Sequence, residues 1–249
     1  QMRFGYGETV VRPDIREVVP VAYYDPLTDI RTIGKSGLKS SPLKNYDARF
    51  EYYGDNGDNY SIAAFYKDIQ APIENVLSVG DEDYTMSFIN GETAEVYGIE
   101  MEWLHGLTWL TNGLFTSGNI TLSDSEVSID PAYAGNLTNP TKRMTGHSEY
   151  VVNLQLGYDS DNGNHSASLL YNVFGERILA SGVGGREDAF EQPFHSLDLV
   201  YTYYPSFSST LTCKVQNMLG EEKELAFENT LLQSETKGTR FEVALKWDF

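Results

Sequence analysis

The chain has 249 residues, 36 of them acidic against 18 basic, for a formal net charge of −18. So acidic a surface argues against nucleic acid as a partner, because phosphates call for basic groups, and no run of about 18 apolar residues offers a membrane helix. Membrane-spanning strands stay open: each needs only about 9–11 residues, and half of those point away from lipid.

The sequence alternates from its first residues, Gln1-Met-Arg-Phe-Gly-Tyr-Gly-Glu-Thr-Val10, as a strand entered midway would, and shows no signal peptide. A fragment, or one piece of a divided protein, is the expectation. Alternation and turn residues predict ten strands, at 2–10, 44–53, 58–68, 92–104, 108–122, 150–159, 165–175, 194–204, 209–218 and 239–249. Gly54-Asp-Asn-Gly57, His105-Gly-Leu107, Ser160-Asp-Asn-Gly-Asn164 and Pro205-Ser-Phe-Ser208 are tight turns of the kind hairpins use. Between them lie long connections at 11–43, 69–91, 123–149, 176–193 and 219–238. In the second, Tyr84 to Ile89 reads as a hairpin raised above the strands rather than as a further span.

Side chains alternate between two faces of a strand. Tyr46, Ala48, Phe50 and Tyr52 share one face, opposite Asn45, Asp47, Arg49 and Glu51. Tyr150, Val152, Leu154, Leu156 and Tyr158 repeat the pattern opposite Asn153, Gln155 and Asp159. Rings bracket a smaller apolar middle, and eight steps of about 3.3 Å at a tilt of about 40° give roughly 20 Å, close to the apolar band of a membrane barrel. Tyr52, Tyr53, Tyr60, Trp103, Trp109, Tyr158, Tyr203, Tyr204 and Trp247 crowd the short turns, as an interfacial girdle would. Cys213, the single cysteine, alternates with Leu211 and Val215 and can form no internal disulfide. The last strand sets Phe241, Val243, Leu245, Trp247 and Phe249 on one face and stops on an aromatic ring. The expected fold is all-β, an antiparallel up-and-down transmembrane β-barrel in a bacterial outer membrane. Short turns and the C-terminus lie on the periplasmic side and long loops outside.

Several segments carry a resemblance. Thr9-Val-Val-Arg-Pro-Asp-Ile-Arg-Glu17, Lys44-Asn-Tyr-Asp-Ala-Arg-Phe-Glu-Tyr-Tyr53 and Ala64-Phe-Tyr-Lys-Asp-Ile-Gln-Ala-Pro-Ile-Glu74 come first. Asn90 with Ala94-Glu-Val-Tyr-Gly-Ile-Glu100, Tyr150-Val-Val-Asn-Leu154, Leu170-Tyr-Asn-Val-Phe-Gly-Glu-Arg177 and Asn217-Met-Leu-Gly220 follow. In this order they resemble the barrel of TonB-dependent outer-membrane receptors. Gly34-Lys-Ser-Gly-Leu38 departs from it, since many relatives carry an Asn-Pro pair there. The resemblance implies a 22-stranded barrel plugged by an N-terminal domain, of which residues 1–249 would be the C-terminal segment; no plug-like segment or TonB box is visible. It also implies partners: the TonB complex acting through the plug, the N-terminal barrel strands, and the barrel-assembly machinery, which reads the final aromatic strand. Outer-membrane lipid, lipopolysaccharide and a small-molecule ligand complete the set.

A ligand captured by the loops would meet rings beside hydrogen-bonding groups. The candidates are Tyr23, Tyr24, Arg31, Tyr84, Tyr133, Arg143, Arg186 and Phe190. Asp47, Arg49, Glu51, Glu100 and Glu102 would line the lumen as paired, solvated wall charges. No histidine has a neighbour at metal-ligand spacing, Asp159 to Asn164 fails the calcium-loop pattern, and no cofactor or metal is expected. Acidic residues such as Asp124, Glu126, Glu187 and Glu224 read as solvated loop charge, with divalent ions bridging lipopolysaccharide as the lesser option. Two other classes compete with an uptake receptor. A complete ten-stranded outer-membrane protease or lipase requires a Ser–His or carboxylate–His set at the loop-side rim; an adhesion or structural barrel requires tight surface binding without uptake.

Overall fold

A computed structural model describes residues 1–26, 28–79, 84–130, 136–228 and 230–247. The chain opens with β1 (Met2–Val11), a single helical turn α1 (Ile15–Val18), and two short strands, β2 (Ala22–Tyr24) and β3 (Arg31–Ile33). Then come β4 (Ser41–Tyr53), β5 (Asn59–Gln70), β6 (Ile73–Val79), β7 (Tyr84–Asn90), β8 (Thr93–Gly106), β9 (Leu114–Ser128) and the two-residue β10 (Thr141–Lys142). The remainder is β11 (Tyr150–Asp159), β12 (His165–Phe174), β13 (Arg177–Gly182), β14 (Ala189–Glu191), β15 (Phe194–Ser206), β16 (Ser209–Gln216), β17 (Glu222–Phe227), β18 (Thr230–Thr236) and β19 (Arg240–Trp247).

Ten of these strands form an antiparallel up-and-down wall in the order β1-β4-β5-β8-β9-β11-β12-β15-β16-β19, with β10 added beside β9. The ten expected strands are all there. The expected strand at 108–122 needs correction at both ends: β9 starts at Leu114 and runs on to Ser128. Trp109 and Leu110 suggested a strand, but Leu110 and Thr111 N–H groups bond back to the Leu107 carbonyl, so the backbone turns there. Asp124 and Glu126 therefore sit on the wall, paired with Tyr97 and Glu95 of β8, and not in a loop. Among the described residues β1 pairs only with β4, and β19 only with β16.

Register confirms the two faces. Tyr6, Tyr46, Tyr66 and Tyr97 stand opposite one another on four successive strands, with Tyr6–Tyr46 and Tyr46–Tyr66 ring centroids 5.1 and 6.0 Å apart. A second aromatic level lies toward the short turns, where Tyr52, Tyr60 and His105 follow one another at 6.4 and 6.1 Å. Trp103 lies over Gly118, directly across from it, and a Cβ there would come within 2.8 Å of the ring. Only glycine admits an indole that flat against the sheet.

A second sheet, not foreseen as one body, joins four of the five long connections: β18-β17-β14-β13-β6-β7-β3-β2. The raised hairpin around Tyr84 to Ile89 is its centre, β6–β7. Two short parallel ladders, β13 with β6 and β3 with β7, bind neighbouring hairpins to it. The joint between wall and loop layer is explicit in the sequence. Ala71 takes φ 49°, Pro72 supplies no N–H, and a Cβ on Gly91 would come 2.9 Å from the Pro72 ring. Asn90 closes the joint, with its amide donating to the Ala71 and Lys39 carbonyls at 2.9 and 3.1 Å.

The dry core belongs to this upper part. Ile69, Ile89, Ala94, Val127 and Ile129 pack where the wall meets the hairpin, and Leu77, Met86, Ala180, Ala189 and Phe227 pack within the loop sheet.

Candidate functional site

Arg12-Pro-Asp-Ile-Arg-Glu17 folds into the turn α1, closed by reciprocal bonds. The Arg16 N–H donates to the Asp14 carboxylate at 2.9 Å, and the Asp14 N–H donates to Glu17 at 2.8 Å. It places Tyr23 and Tyr24 on β2, at the edge of the loop sheet, around a cavity of about 480 Å³ shared with Ile15, Arg16 and Val19. Tyr84 lines a different cavity, of about 170 Å³, with its ring edge-on to Phe227 at 5.7 Å. Phe190 lines a third, of about 490 Å³, among Glu176, Glu187, Glu224 and Glu228.

The arginines are engaged. Arg31 donates to the Thr85 hydroxyl at 3.1 Å, Arg186 pairs with Glu228 at 2.9 Å, and Arg143 lies 3.4 Å from Glu149 and 3.8 Å from Glu176. Tyr133 and Phe249 lie outside the described residues. The four described candidate rings thus line three separate concavities and are not gathered into one.

Two buried ionic groups escaped the sequence reading. Glu74 is fully buried and pairs with Lys142 at 2.7 Å; its carboxylate also accepts the Thr145 N–H at 3.1 Å. The only signal was a glutamate inside the apolar run Ala71-Pro-Ile-Glu74, and nothing marked Lys142 as its partner. Glu191 pairs with Arg177 at 2.7 Å and Lys223 at 3.1 Å. Burial pushes the Glu191 carboxyl up, but Arg177 and then Lys223 outweigh it and hold it below the usual carboxylate range.

His147 bridges a loop to the wall, its Nε2 2.9 Å from Ser123 Oγ and its Nδ1 2.8 Å from Ser125 Oγ. Burial first, then the neighbouring Arg143 charge, lowers its pKa below the ordinary histidine value. This is the Ser–His contact that an enzyme reading required at the loop-side rim. Its Nδ1 faces a hydroxyl, so the hydrogen-bonded carboxylate that orients the ring in a catalytic triad is not in that place; Asp124 and Glu149 favour the charged ring only through space, and burial and Arg143 outweigh them. Among the described residues no three His, Cys, Asp or Glu side chains group to hold a metal ion.

On the wall's polar face, Arg49 bonds both Glu51, at 3.0 Å, and Glu102, while Arg3 reaches Glu51 at 3.0 Å. Asp47 and Glu100 share that face without an ion pair among the described residues. On the opposite face Phe241, Val243, Leu245 and Trp247 are exposed, and Cys213 stands across from Val243.

Solved structures with this fold are numerous. A mutant ferric enterobactin receptor from Pseudomonas aeruginosa is 18% identical with TM-score 0.63, over the whole of this chain and 38% of that one. The copper transporter OprC is 16% identical with TM-score 0.68, over 100% and 37%. The siderophore receptor PirA from Acinetobacter baumannii is 14% identical with TM-score 0.64, over 100% and 39%. The chain therefore spans less than two fifths of the length of each. No curated protein sequence matches it. Its sequence matches the family described as TonB dependent receptor-like, beta-barrel over residues 1–218, and the chain belongs to that family of outer-membrane barrels.

Proposed function

We propose that residues 1–249 are the C-terminal barrel segment of an energised outer-membrane receptor that takes up a scarce small-molecule nutrient. The observation that carries this reading is the ten-strand wall with one aromatic and one charged face, capped by a loop layer with its own dry core. The aromatic face meets lipid, and Asp47, Arg49, Glu51, Glu100 and Glu102 face the lumen. An unpaired strand edge cannot stand in hydrocarbon, so the outer edges of β1 and β19 take the barrel's remaining strands as partners. The short turns and the C-terminal strand lie at the periplasmic rim, where Phe241, Val243, Leu245, Trp247 and Phe249 present the assembly machinery with its signal. Lipopolysaccharide surrounds the loop-side girdle, and the TonB complex acts through a plug domain outside this segment.

The relatives named above carry siderophore or copper names, and this chain's separate loop cavities suit a siderophore, an oligosaccharide or a peptide by the same chemistry. No enzymatic step belongs to this reading: Ser123–His147–Ser125 acts as a clamp between loop and wall. The test is accumulation of labelled iron chelates, sugars and peptides by cells carrying or lacking the gene for the complete receptor. Uptake of one class, abolished by deletion and by collapsing the proton gradient, is expected. Equal accumulation in both strains for every class would remove the proposal.

A further inference from the structure

We propose that the polar face carries a hydrogen-bonding ramp, centred on Asn119, Asn153 and Asn172, that serves as the transit track for a neutral, hydroxyl-rich solute; this rests on the uptake reading above. Register alone builds it. Glu51, Ser61, Glu102, Asn119, Asn153, Asn172 and Ser196 stand directly opposite one another on seven successive wall strands. The row is not level. Glu51 lies two residues from the short-turn end of β4, whereas Ser196 lies two residues from the long-loop end of β15. Strand stagger in a barrel makes such a row climb, and this one climbs from rim to rim.

Its upper part is a relay of carboxamides. The Asn172 amide donates to the Asn153 oxygen, and the Asn153 amide donates to the Asn119 oxygen at 2.7 Å. Whichever way the amides are turned, one end of the relay keeps a free donor and the other a free acceptor. One step toward the short turns, Gln155 accepts from Ser117 at 3.2 Å and donates to Ser168 at 3.0 Å. Glu102, Ser117, Asn119, Asn153, Gln155 and Asn172 line a concavity of about 380 Å³.

From β9 to β12 this face carries a single charge, Asp159 at the short-turn rim. Charge returns beyond those strands: Arg3, Arg49, Glu51 and Glu102 pair with one another at the row's lower end, and at its upper end Asp198 accepts from Ser196 at 3.0 Å. A passage must hold its solute weakly and at many points, so that entry and exit are both favourable. Carboxamides meet that demand for hydroxyls, since both partners donate and accept. An unpaired charge on the same row would hold an ion and stop it.

The test uses the complete receptor in detergent, with maltotriose as an uncharged polyhydroxylated probe and NMR saturation transfer as the readout. Transfer to maltotriose is expected in the wild type. It falls about fivefold or more in the double variant Asn119→Leu with Asn153→Leu, and it survives in Asn153→Gln, which keeps donor and acceptor. Heat-modifiable migration on gels confirms that each variant is a folded barrel. Equal transfer in wild type and double variant overturns the ramp. So does no transfer in the wild type, as when the rest of the receptor covers the row permanently. Energised uptake by cells is scored separately. Its absence for every solute in the wild type overturns the receptor reading and the track with it, whereas uptake indifferent to the double variant overturns the track alone.

Discussion

Leu77 in the loop layer has none of its surface exposed, while Phe241 in the wall leaves 74% uncovered. Both are apolar, and both sit where their surroundings suit them. The loop layer buries its own apolar core, and the buried Glu74 pairs with Lys142 through one of its carboxylate oxygens. Among the described residues no second sheet packs on the wall's aromatic face; hydrocarbon takes that place. The two regions follow one another along the chain across the Ala71–Pro72 and Asn90–Gly91 joint, yet they answer to different solvents.

That contrast sets the size of mutational effects. The largest belongs to the buried pair. Lys142→Met leaves the Glu74 carboxylate without its cation, a loss of about 3–5 kcal/mol. It opens the 71–91 and 136–149 segments in hydrogen exchange while the wall amides stay protected. Leu77→Ala costs the loop layer about 2–5 kcal/mol through lost transfer energy plus a cavity, measured by denaturant titration of the loop layer's exchange. The matched change on the wall, Leu245→Ala, costs about half as much or less, because lipid chains fill the vacated space and no void remains. Equal losses at the two leucines would erase the distinction. Val243→Arg reverses it: a cation near mid-membrane costs about 2–4 kcal/mol and is read as reduced refolding into liposomes.

The smallest effect is that of pH. His147 has a depressed folded pKa, so its contribution is present above the ordinary histidine value of about 6.5 and is lost as pH falls through that value toward the folded one. Glu191 follows the same sign lower down, its contribution present above the usual carboxylate range and lost as pH falls below it. Acidification from neutral pH to about 5 loosens the 143–149 segment first, and His147→Gln removes that first step in exchange measurements. Wall exchange stays flat over the same range.

The wall was legible because its signal is local. Period-two alternation in Tyr46 to Tyr52 or Tyr150 to Tyr158, bounded by turn residues, marks a strand without knowledge of its neighbour. The loop sheet was not, because the ladders joining one hairpin to the next are short: Ser181–Gly182 with Val76–Leu77 and Arg31–Thr32 with Thr85–Met86 in parallel, and Ala189–Glu191 with Leu225–Phe227 antiparallel. Nothing in those pairs of residues announces the partner. Glu74 and Lys142 lie far apart in sequence, so a buried glutamate was visible only as an oddity. Tyr23 and Tyr24, Tyr84, and Phe190 line three separate cavities, and that separation depends on which hairpins pair. Likewise Asn119, Asn153 and Asn172 each looked like an ordinary polar position, and only register lines them up.

The central claim is that the wall separates hydrocarbon from water, and nitroxide scanning along β11 tests it most directly. With Cys213 replaced by serine, single spin labels at positions 151 to 156 of the complete receptor in liposomes report collision with oxygen and with a water-soluble nickel chelate. Strict alternation is expected, with Val152, Leu154 and Leu156 favouring oxygen and Val151, Asn153 and Gln155 favouring the chelate. Six positions with the same preference, or a chelate preference on the Leu154 side, would contradict it.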